Sequence, residues 1–148
     1  MATITKSVNI NRPPDEVFAY LDDLSKHPEW QSQIESRRIV TEGPTRVGTE
    51  VEDVRVVGGG RKIELRWHVT EHDPAARRSA FETTESQMIK PSGVITVTPA
   101  GEGSEVTFQF HTNPFGLGLL LAPLMINRDV KKTIDGDMER LKEQLERS

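Results

Sequence analysis

The chain has 148 residues, enough for one domain with a buried core, and we expect residues 1–148 to form a single domain. Its net charge is −4, and because basic and acidic residues are interleaved, we expect no nucleic-acid partner. The chain lacks cysteine, which excludes disulfides, thiolate metal sites and a thiol nucleophile.

Two segments bear on location. Residues 1–6 lack the apolar core of a signal peptide. The apolar run 117–126 is shorter than the roughly twenty residues that span a bilayer. We therefore expect a cytoplasmic protein with no integral membrane segment.

The first predicted elements are a strand and two short helical segments. Residues 3–10 alternate loosely between apolar and polar side chains, as a half-exposed strand does. A Pro-Pro pair then suits the start of a helix, and residues 17–24 supply its apolar face. The stretch 27–33 predicts another short turn or helix, which carries Trp30.

Six further strands are predicted before residue 112, separated by Gly-Pro, Asp-Pro and glycine-rich turns. Their predicted bounds are 34–41, 49–57, 61–72, 77–84, 88–99 and 104–111. The triple glycine 58–60 has a predicted strand on each side, which favours a hairpin turn over a phosphate-binding loop.

The C-terminal part predicts one long helix, because apolar residues recur every three or four positions from 117 to 145. Pro123 would bend or break this helix about two turns in. A helix ~10–12 Å wide cannot cover six or seven strands that together span about 30 Å. We therefore expect the sheet to curl around the helix and enclose an apolar pocket.

Alternation predicts which side chains face that helix. In the strand 61–72, Ile63, Leu65, Trp67 and Val69 share one face, and the polar residues share the other. The same argument adds Phe81, Ile95, Val97, Val106, Phe108 and Phe110, with Met88 as a further candidate. A single aromatic residue of this kind, Trp30 included, is more often core than pocket wall, so both interpretations stay open.

The register across the glycine turn leaves two arrangements. If Val57 pairs directly with Arg61, then Asp53 and Arg55 face the pocket. A slip or bulge of one residue instead turns Val54 and Val56 inward. We favour the two valines, since burying a charged pair costs several kcal/mol unless the pair is well hydrogen-bonded. Glu50, Glu52 and Asp53 then form a solvated strand face.

Other chemistry is sparse. His68 and His72 are separated by about 13 Å along an extended strand, too far to share one metal ion. The four histidines, which include His27 and His111, are scattered, and we expect them to be exposed or in loops. The sequence contains no recognisable nucleophile elbow or paired carboxylates. We therefore assign no catalytic residue, no metal site and no cofactor.

Several stretches resemble a known family. They are the SVNINRPPDEVFAYL segment of residues 7–21, PEW at 28–30, VGT at 47–49, HVTEHDPAARRSAF at 68–81 and MERLK at 138–142. With the order of elements, they resemble the Bet v 1-like, START-related (SRPBCC) superfamily and its polyketide cyclase/dehydratase-like group. The resemblance implies an α+β helix-grip fold: a curved antiparallel sheet of six or seven strands wrapped around a long C-terminal helix, with two short helices after the first strand.

The resemblance also implies where a ligand would lie. Tyr20 would lie near the cavity floor, and the mouth would be formed by residues 58–60, 85–91 and 113–121. The expected ligand contacts are Tyr20, Trp30, Val54, Val56, Leu65, Trp67, Phe81, Met88, Ile95, Val97, Phe108, Phe110, Phe115, Leu121 and Met125. The segment 113–121, with two glycines and Phe115, would admit an apolar ligand or touch a membrane; alternatively, its leucines simply pack on the sheet.

Three functions follow as hypotheses. The first is binding or transport of a small hydrophobic molecule, lipid or polyketide-like. The second is a polyketide cyclase or dehydratase, in which Arg55, Thr83 or Tyr20 promotes enolisation and loss of water. The third is a protein-interaction module without a ligand, which docks or self-associates, for example as a homodimer, through its exposed sheet face or residues 117–126. Fold signatures alone do not choose among them.

Overall fold

The computed structural model describes residues 3–86, 89–121 and 127–147. After strand β1 (Thr3–Ile10) come helix α1 (Pro14–Asp22) and a 3₁₀ helix (Leu24–Glu29). These are the predicted strand and two short helical segments.

Seven antiparallel strands form one sheet in the order β1-β7-β6-β5-β4-β3-β2. The remaining strands are β2 (Ile34–Ile39), β3 (Glu50–Val57), β4 (Arg61–Asp73), β5 (Arg78–Glu85), β6 (Ser92–Ala100) and β7 (Gly103–His111). Every strand predicted from the sequence is present, and the helix-grip fold class is confirmed.

The C-terminal part contains a short helix α2 (Gly118–Leu121) and a long helix α3 (Asn127–Arg147). The predicted bend at Pro123 lies outside the described residues. Helix α3 runs along β1: Asp135 pairs with Lys6 at 3.6 Å, and Glu146 accepts a hydrogen bond from the backbone of Asn11 at 2.9 Å. Its first turn lies against the β3–β4 turn, where a Cβ on Gly58 would be 3.0 Å from Asp129.

The sheet has two ends, which we name by the connections that they carry. The apical end holds the glycine turn between β3 and β4, the β5–β6 connection, the segment that follows β7 and the start of α3. The basal end holds α1, the β2–β3 and β4–β5 connections and the β6–β7 turn. Helix α1 closes the basal end, where Asp22 accepts a hydrogen bond from Nε2 of His72 at 2.9 Å.

The apolar core of the described residues forms two clusters on the concave face. The first lies beneath α1 and α3 and comprises Val8, Ile10, Val17, Phe18, Leu21, Trp30, Val97, Val106, Ile134, Met138, Leu141 and Leu145. The second lies on β3 and β4 with one residue from the 3₁₀ helix, and it comprises Leu24, Val51, Ile63, Leu65, Trp67 and Val69. The concave face between them is therefore only partly covered.

The predicted inward position of Val54 and Val56 is wrong. Val57 pairs directly with Arg61, which places Asp53 opposite Leu65 and Arg55 opposite Ile63 on the concave face. Val54 and Val56 lie on the convex face, opposite Glu64 and Lys62. Asp53 is therefore not part of a solvated face, because only 2% of its surface is exposed.

Candidate functional site

Aromatic side chains cover the middle of the concave face. The ring of Phe81 lies 5.5 Å from that of Trp67 and 6.5 Å from each of Phe108 and Phe110, and the last two are 5.7 Å apart. Trp67 is buried, whereas the three phenylalanines and Ile95 are only half-buried. These side chains therefore form an apolar, partly accessible surface between the two core clusters, which we call the aromatic floor.

Gly93 brings these rings close to the backbone. A Cβ at this position would lie 2.8 Å from Cε1 of Phe81, 3.0 Å from Cε1 of Phe108 and 2.9 Å from the backbone oxygen of Gln109. Distances this short would force the neighbouring atoms to shift, which favours a glycine beneath the two phenylalanines.

A charged cluster borders this floor on β2 and β3. Arg37 donates from Nε and Nη2 to the two carboxylate oxygens of Asp53, at 2.7 Å each. Arg55 donates to Asp53 from Nη2 at 3.0 Å, and Nε1 of Trp67 donates to it at 3.1 Å. Arg37 also donates from Nη1 to the backbone oxygen of Leu24, at 2.8 Å. These bonds compensate the desolvation that makes an unpaired buried carboxylate so costly.

Asp53 stays ionised in this environment. Burial by itself would raise the pKa of Asp53, but the hydrogen bond from Arg37 and the charge of Arg55 outweigh burial and hold the pKa below its usual value. The cluster thus contains one carboxylate and two guanidinium groups, and it carries net positive charge.

Arg55 is the member of the cluster that faces the concave space. Its side chain is 21% exposed, against 4% for Arg37 and none for Asp53. Nη2 of Arg55 also donates to the amide oxygen of Gln31 at 2.9 Å, whereas Nη1 makes no hydrogen bond within the described residues. Arg55 can therefore offer a donor to a carbonyl, enolate or carboxylate oxygen.

His27 lies beside this cluster. Burial and the positive charge of Arg37 lower the pKa of His27 to about 3, so its ring is neutral. Nε2 lies 2.8 Å from the backbone oxygen of Leu21, which can only accept, so Nε2 carries the proton. The Nδ1 atom and Nε1 of Trp30 are buried without a partner in the described part of the chain. The expectation of exposed or loop histidines thus missed that His27 is half-buried in a 3₁₀ helix with its Nδ1 atom inside the fold.

The other predicted contact residues lie in three environments. Leu65, Trp67, Phe81, Ile95, Val97, Phe108 and Phe110 face the concave side, as predicted. Trp30 is part of the first core cluster. The hydroxyl of Tyr20 donates to Glu29 at 2.7 Å near the surface, and burial with this hydrogen bond raises its pKa. Met88, Met125 and the side chain of Leu121 lie outside what the structure describes.

Two of the three predicted mouth segments meet at a pocket of the apical end. It has a volume of about 380 Å³ and is lined by Glu82, Thr83, Lys90, Ser92, Asn113 and Phe115. Thr83 is occupied by a hydrogen bond to the backbone oxygen of Pro91 at 2.6 Å. The amide of Asn113 ties the two segments together, because it donates to the backbone oxygen of Lys90 at 3.2 Å, and it also donates to the hydroxyl of Ser92 at 2.9 Å.

Sequence reasoning missed Arg37 and Gln31. Both belong to segments whose polar residues gave no periodic signal, and their partners are distant along the chain. Within residues 3–86, 89–121 and 127–147, no group of acidic or histidine side chains is arranged to hold a metal ion. No described helix is both long enough and apolar enough to cross a membrane.

Residues 1–146 match the profile of a protein family described as "Polyketide cyclase / dehydrase and lipid transport". The chain belongs to this family. Its description covers both catalysis and carriage, so membership does not by itself decide between them. No curated protein matches the sequence.

Several solved structures share the family's fold. The protein TTHA0849 from Thermus thermophilus has a TM-score of 0.83 at 21% identity, over 97% of each chain. The Zhui aromatase/cyclase from Streptomyces sp. R1128 has a TM-score of 0.81 at 19% identity, over 99% of this chain and 94% of that one. A START superfamily protein from Mycobacterium smegmatis has a TM-score of 0.78 at 13% identity, over 98% and 97%. At these identities the likeness shows the fold alone.

Proposed function

We propose that this protein binds a small hydrophobic molecule, lipid or polyketide-like, against the concave face of its sheet. The observation that carries this proposal is the half-buried aromatic floor of Phe81, Phe108 and Phe110 between two separate core clusters. Apolar side chains that face the inside of a fold and remain partly accessible favour an apolar guest. Both halves of the family description, polyketide chemistry and lipid transport, involve such molecules.

The ligand would be held by two kinds of contact. The aromatic floor supplies apolar area, which gives affinity with little dependence on orientation. Arg55, at the border of the floor, supplies a charge-assisted donor for one oxygen of the ligand. Together they favour an elongated or ring-shaped apolar molecule with at least one carbonyl, enolate or carboxylate group.

Fluorescence of Trp67 provides the direct test. The chain has two tryptophans, so Trp30→Phe leaves Trp67 as the reporter on the floor. Titration with anilinonaphthalene sulfonate, an apolar probe with an anionic group, should give saturable energy transfer from Trp67. Phe108→Ala should weaken binding about tenfold, the equivalent of ~1.4 kcal/mol.

Gln109→Ala is the matched control, because Gln109 is the next residue of β7 and is exposed on the convex face. It should bind the probe as the parent does. Melting curves of both variants check that the fold is retained. Failure of the parent to take up the probe, or equal losses in the two variants, would contradict binding at this face. If the probe does bind at this face, native mass spectra of the gently purified protein would show any natural ligand that it carries.

A second candidate function is catalysis of the polyketide cyclase or dehydratase type. The inward position of Arg55 favours it, because a guanidinium beside an apolar floor can stabilise the enolate that forms when solvent takes the α-proton. The enolate then re-forms the carbonyl as the bond to the β-hydroxyl breaks, and that hydroxyl takes a proton from solvent and leaves as water. An aryl β-hydroxyketone provides a simple probe, since its dehydration forms a conjugated enone that can be followed by absorbance. Arg55→Met should abolish any acceleration, and Arg55→Lys should retain part of it. If wild-type protein binds this probe without accelerating the reaction, carriage alone is supported.

A further inference from the structure

Apolar side chains are exposed in the segment that follows β7 at the apical end. Leu117, Leu119 and Leu120 are 71%, 61% and 79% exposed, and Phe115 is 39% exposed. We call these four residues the apical patch. Scattered exposed leucines need no explanation, but four within six positions form a continuous apolar surface with no covering element among the described residues.

Charge is distributed unevenly between the two ends of the molecule. In the apical segments 58–62, 85–91, 112–121 and 127–132, the cations are Arg61, Lys62, Lys90, Arg128, Lys131 and Lys132, and the acids are Glu85 and Asp129. In the basal segments 11–24, 41–49, 73–77 and 100–103, the acids are Asp15, Glu16, Asp22, Asp23, Glu42, Asp73 and Glu102, and the cations are Arg12, Arg46 and Arg77. An acidic protein therefore has a basic apical end.

Most of the apical cations are available for an external partner. The ion pairs formed among the described residues include Lys62 with Glu35, but none involves Arg61, Lys90, Arg128, Lys131 or Lys132. All five are exposed. Lys90 lies against the patch, with its ammonium 5.2 Å from the centre of the Phe115 ring. Basal Arg77, by contrast, is paired with Asp15 at 3.0 Å.

Exposed leucines beside unpaired cations match an anionic lipid surface, in which the apolar groups enter the acyl boundary and the cations meet phosphate groups. Two copies that met through their apical ends would place like charges against each other. A head-to-tail contact with the acidic basal end of a second copy would pair opposite charges but would give the apical patch little apolar surface to pack against. Among the described residues, Val47 is the large apolar residue most exposed at the basal end, at 62%.

We propose that the apical patch docks onto an anionic lipid surface. The docked protein would present the apical end, with its 380 Å³ pocket, to the membrane. This surface goes beyond the proposed ligand binding and does not depend on it. A protein that binds vesicles but not the apolar probe, or the reverse, would separate the two proposals.

Co-sedimentation with vesicles tests the proposal. The full chain is mixed with vesicles of phosphatidylcholine alone and with vesicles of equal parts phosphatidylcholine and phosphatidylglycerol, at low and high salt. We expect binding to the mixed vesicles that salt weakens, and much weaker binding to phosphatidylcholine alone. Leu119→Ser combined with Leu120→Ser should reduce binding about a hundredfold, since each leucine that enters the lipid contributes about tenfold.

Matched variants separate apical from general effects. Lys132→Glu should reduce binding to the mixed vesicles about tenfold. Lys26→Glu reverses an exposed lysine near α1, Val47→Ser removes an exposed basal valine, and both should bind as the wild type does. Melting temperatures confirm that each variant is folded.

Three results would overturn the proposal. They are no binding of the wild type to mixed vesicles, equal losses in the apical and control variants, and binding that is independent of lipid charge. The wild type could instead form a dimer in solution and fail to bind vesicles. If Leu119→Ser and Leu120→Ser then make it monomeric, the patch is assigned to self-association.

Discussion

Glu52 and Asp53 are neighbours in β3, and each lies between two arginines, yet the two faces of the sheet give them different roles. On the convex face Glu52 accepts hydrogen bonds from Arg38 and Arg66, in contact with solvent. On the concave face Asp53 is held by Arg37 and Arg55, out of contact with water. The comparison shows that the same residue types form a solvent-screened surface cluster on one face and a polar border to an apolar floor on the other.

The largest expected effect on stability comes from removing the carboxylate charge of Asp53, with the same change at Glu52 as the comparison. Asp53→Asn leaves the buried guanidinium of Arg37 and the partly buried one of Arg55 without their counter-charge and should lower the free energy of unfolding by about 3 kcal/mol. Glu52→Gln should change it far less, because its arginines remain solvated. Urea unfolding of the two variants makes the measurement, and similar losses would mean that burial does not distinguish the faces.

His27 should make the free energy of unfolding depend on pH. Its pKa is about 3 in the folded protein, against 6.5 for an unperturbed histidine, so between these values the unfolded chain binds a proton that the folded protein does not. Stability should therefore decrease as pH falls below about 6.5, by up to about 1.4 kcal/mol per pH unit. Urea unfolding at pH values on either side of 6.5 measures this slope.

His27→Gln is the control for that slope, since glutamine does not titrate. Asp53 contributes in the same direction but at lower pH: its depressed pKa adds stability above the usual value near 3.8 that is lost as pH falls through the folded pKa. A slope near pH 6 that survives in His27→Gln would show that another group is responsible.

The floor itself is tested at Gly93. Gly93→Ala should cost about 1–3 kcal/mol, because the backbone oxygen of Gln109 cannot move away as readily as the Phe81 and Phe108 rings can. Gly136→Ala in α3 is the matched substitution: its Cβ would approach no atom closer than 3.6 Å, so it should stabilise the helix by up to ~1 kcal/mol. Thermal unfolding that ranks the two variants in the opposite order would contradict close packing beneath the rings.

The smallest effect concerns salt. Double-mutant cycles with alanine give the coupling of Arg38 to Glu52 and of Arg37 to Asp53. The Arg38 side chain is 68% exposed and that of Arg37 is 4% exposed, so salt should weaken the first coupling and leave the second nearly unchanged. Equal salt sensitivity would mean that solvent reaches both faces.

The predictions from sequence succeeded where one face of an element is strongly apolar. The alternation of Ile63, Leu65 and Trp67 fixed the orientation of β4, because polar residues occupy every position between them. The helical periodicity of residues 117–145 likewise predicted a long C-terminal helix; its part from residue 127 onward is α3, whose Ile134, Met138 and Leu141 are buried.

They failed in β3, where periodicity is weak. Valines occupy both faces of this strand, at 51 and 57 on one and at 54 and 56 on the other, so the pattern alone did not choose a register. The cost of burying Asp53 favours inward valines only as long as the hydrogen-bond partners of Asp53 are left out. Those partners, Arg37 on β2 and the indole of Trp67 on β4, meet Asp53 only when the sheet has formed.

The sequence by itself determined the order of elements and the apolar face of β4, because these depend on local periodicity and turn residues. Its resemblance to a known family implied the helix-grip fold. The tertiary structure decided which face of β3 is buried, and with it the inward position of Arg55. It also decided the split of the core, the half-buried position of His27, and the meeting at one end of exposed leucines with cations that form no ion pair among the described residues. Each depends on contacts between residues distant in the chain, which no local pattern records.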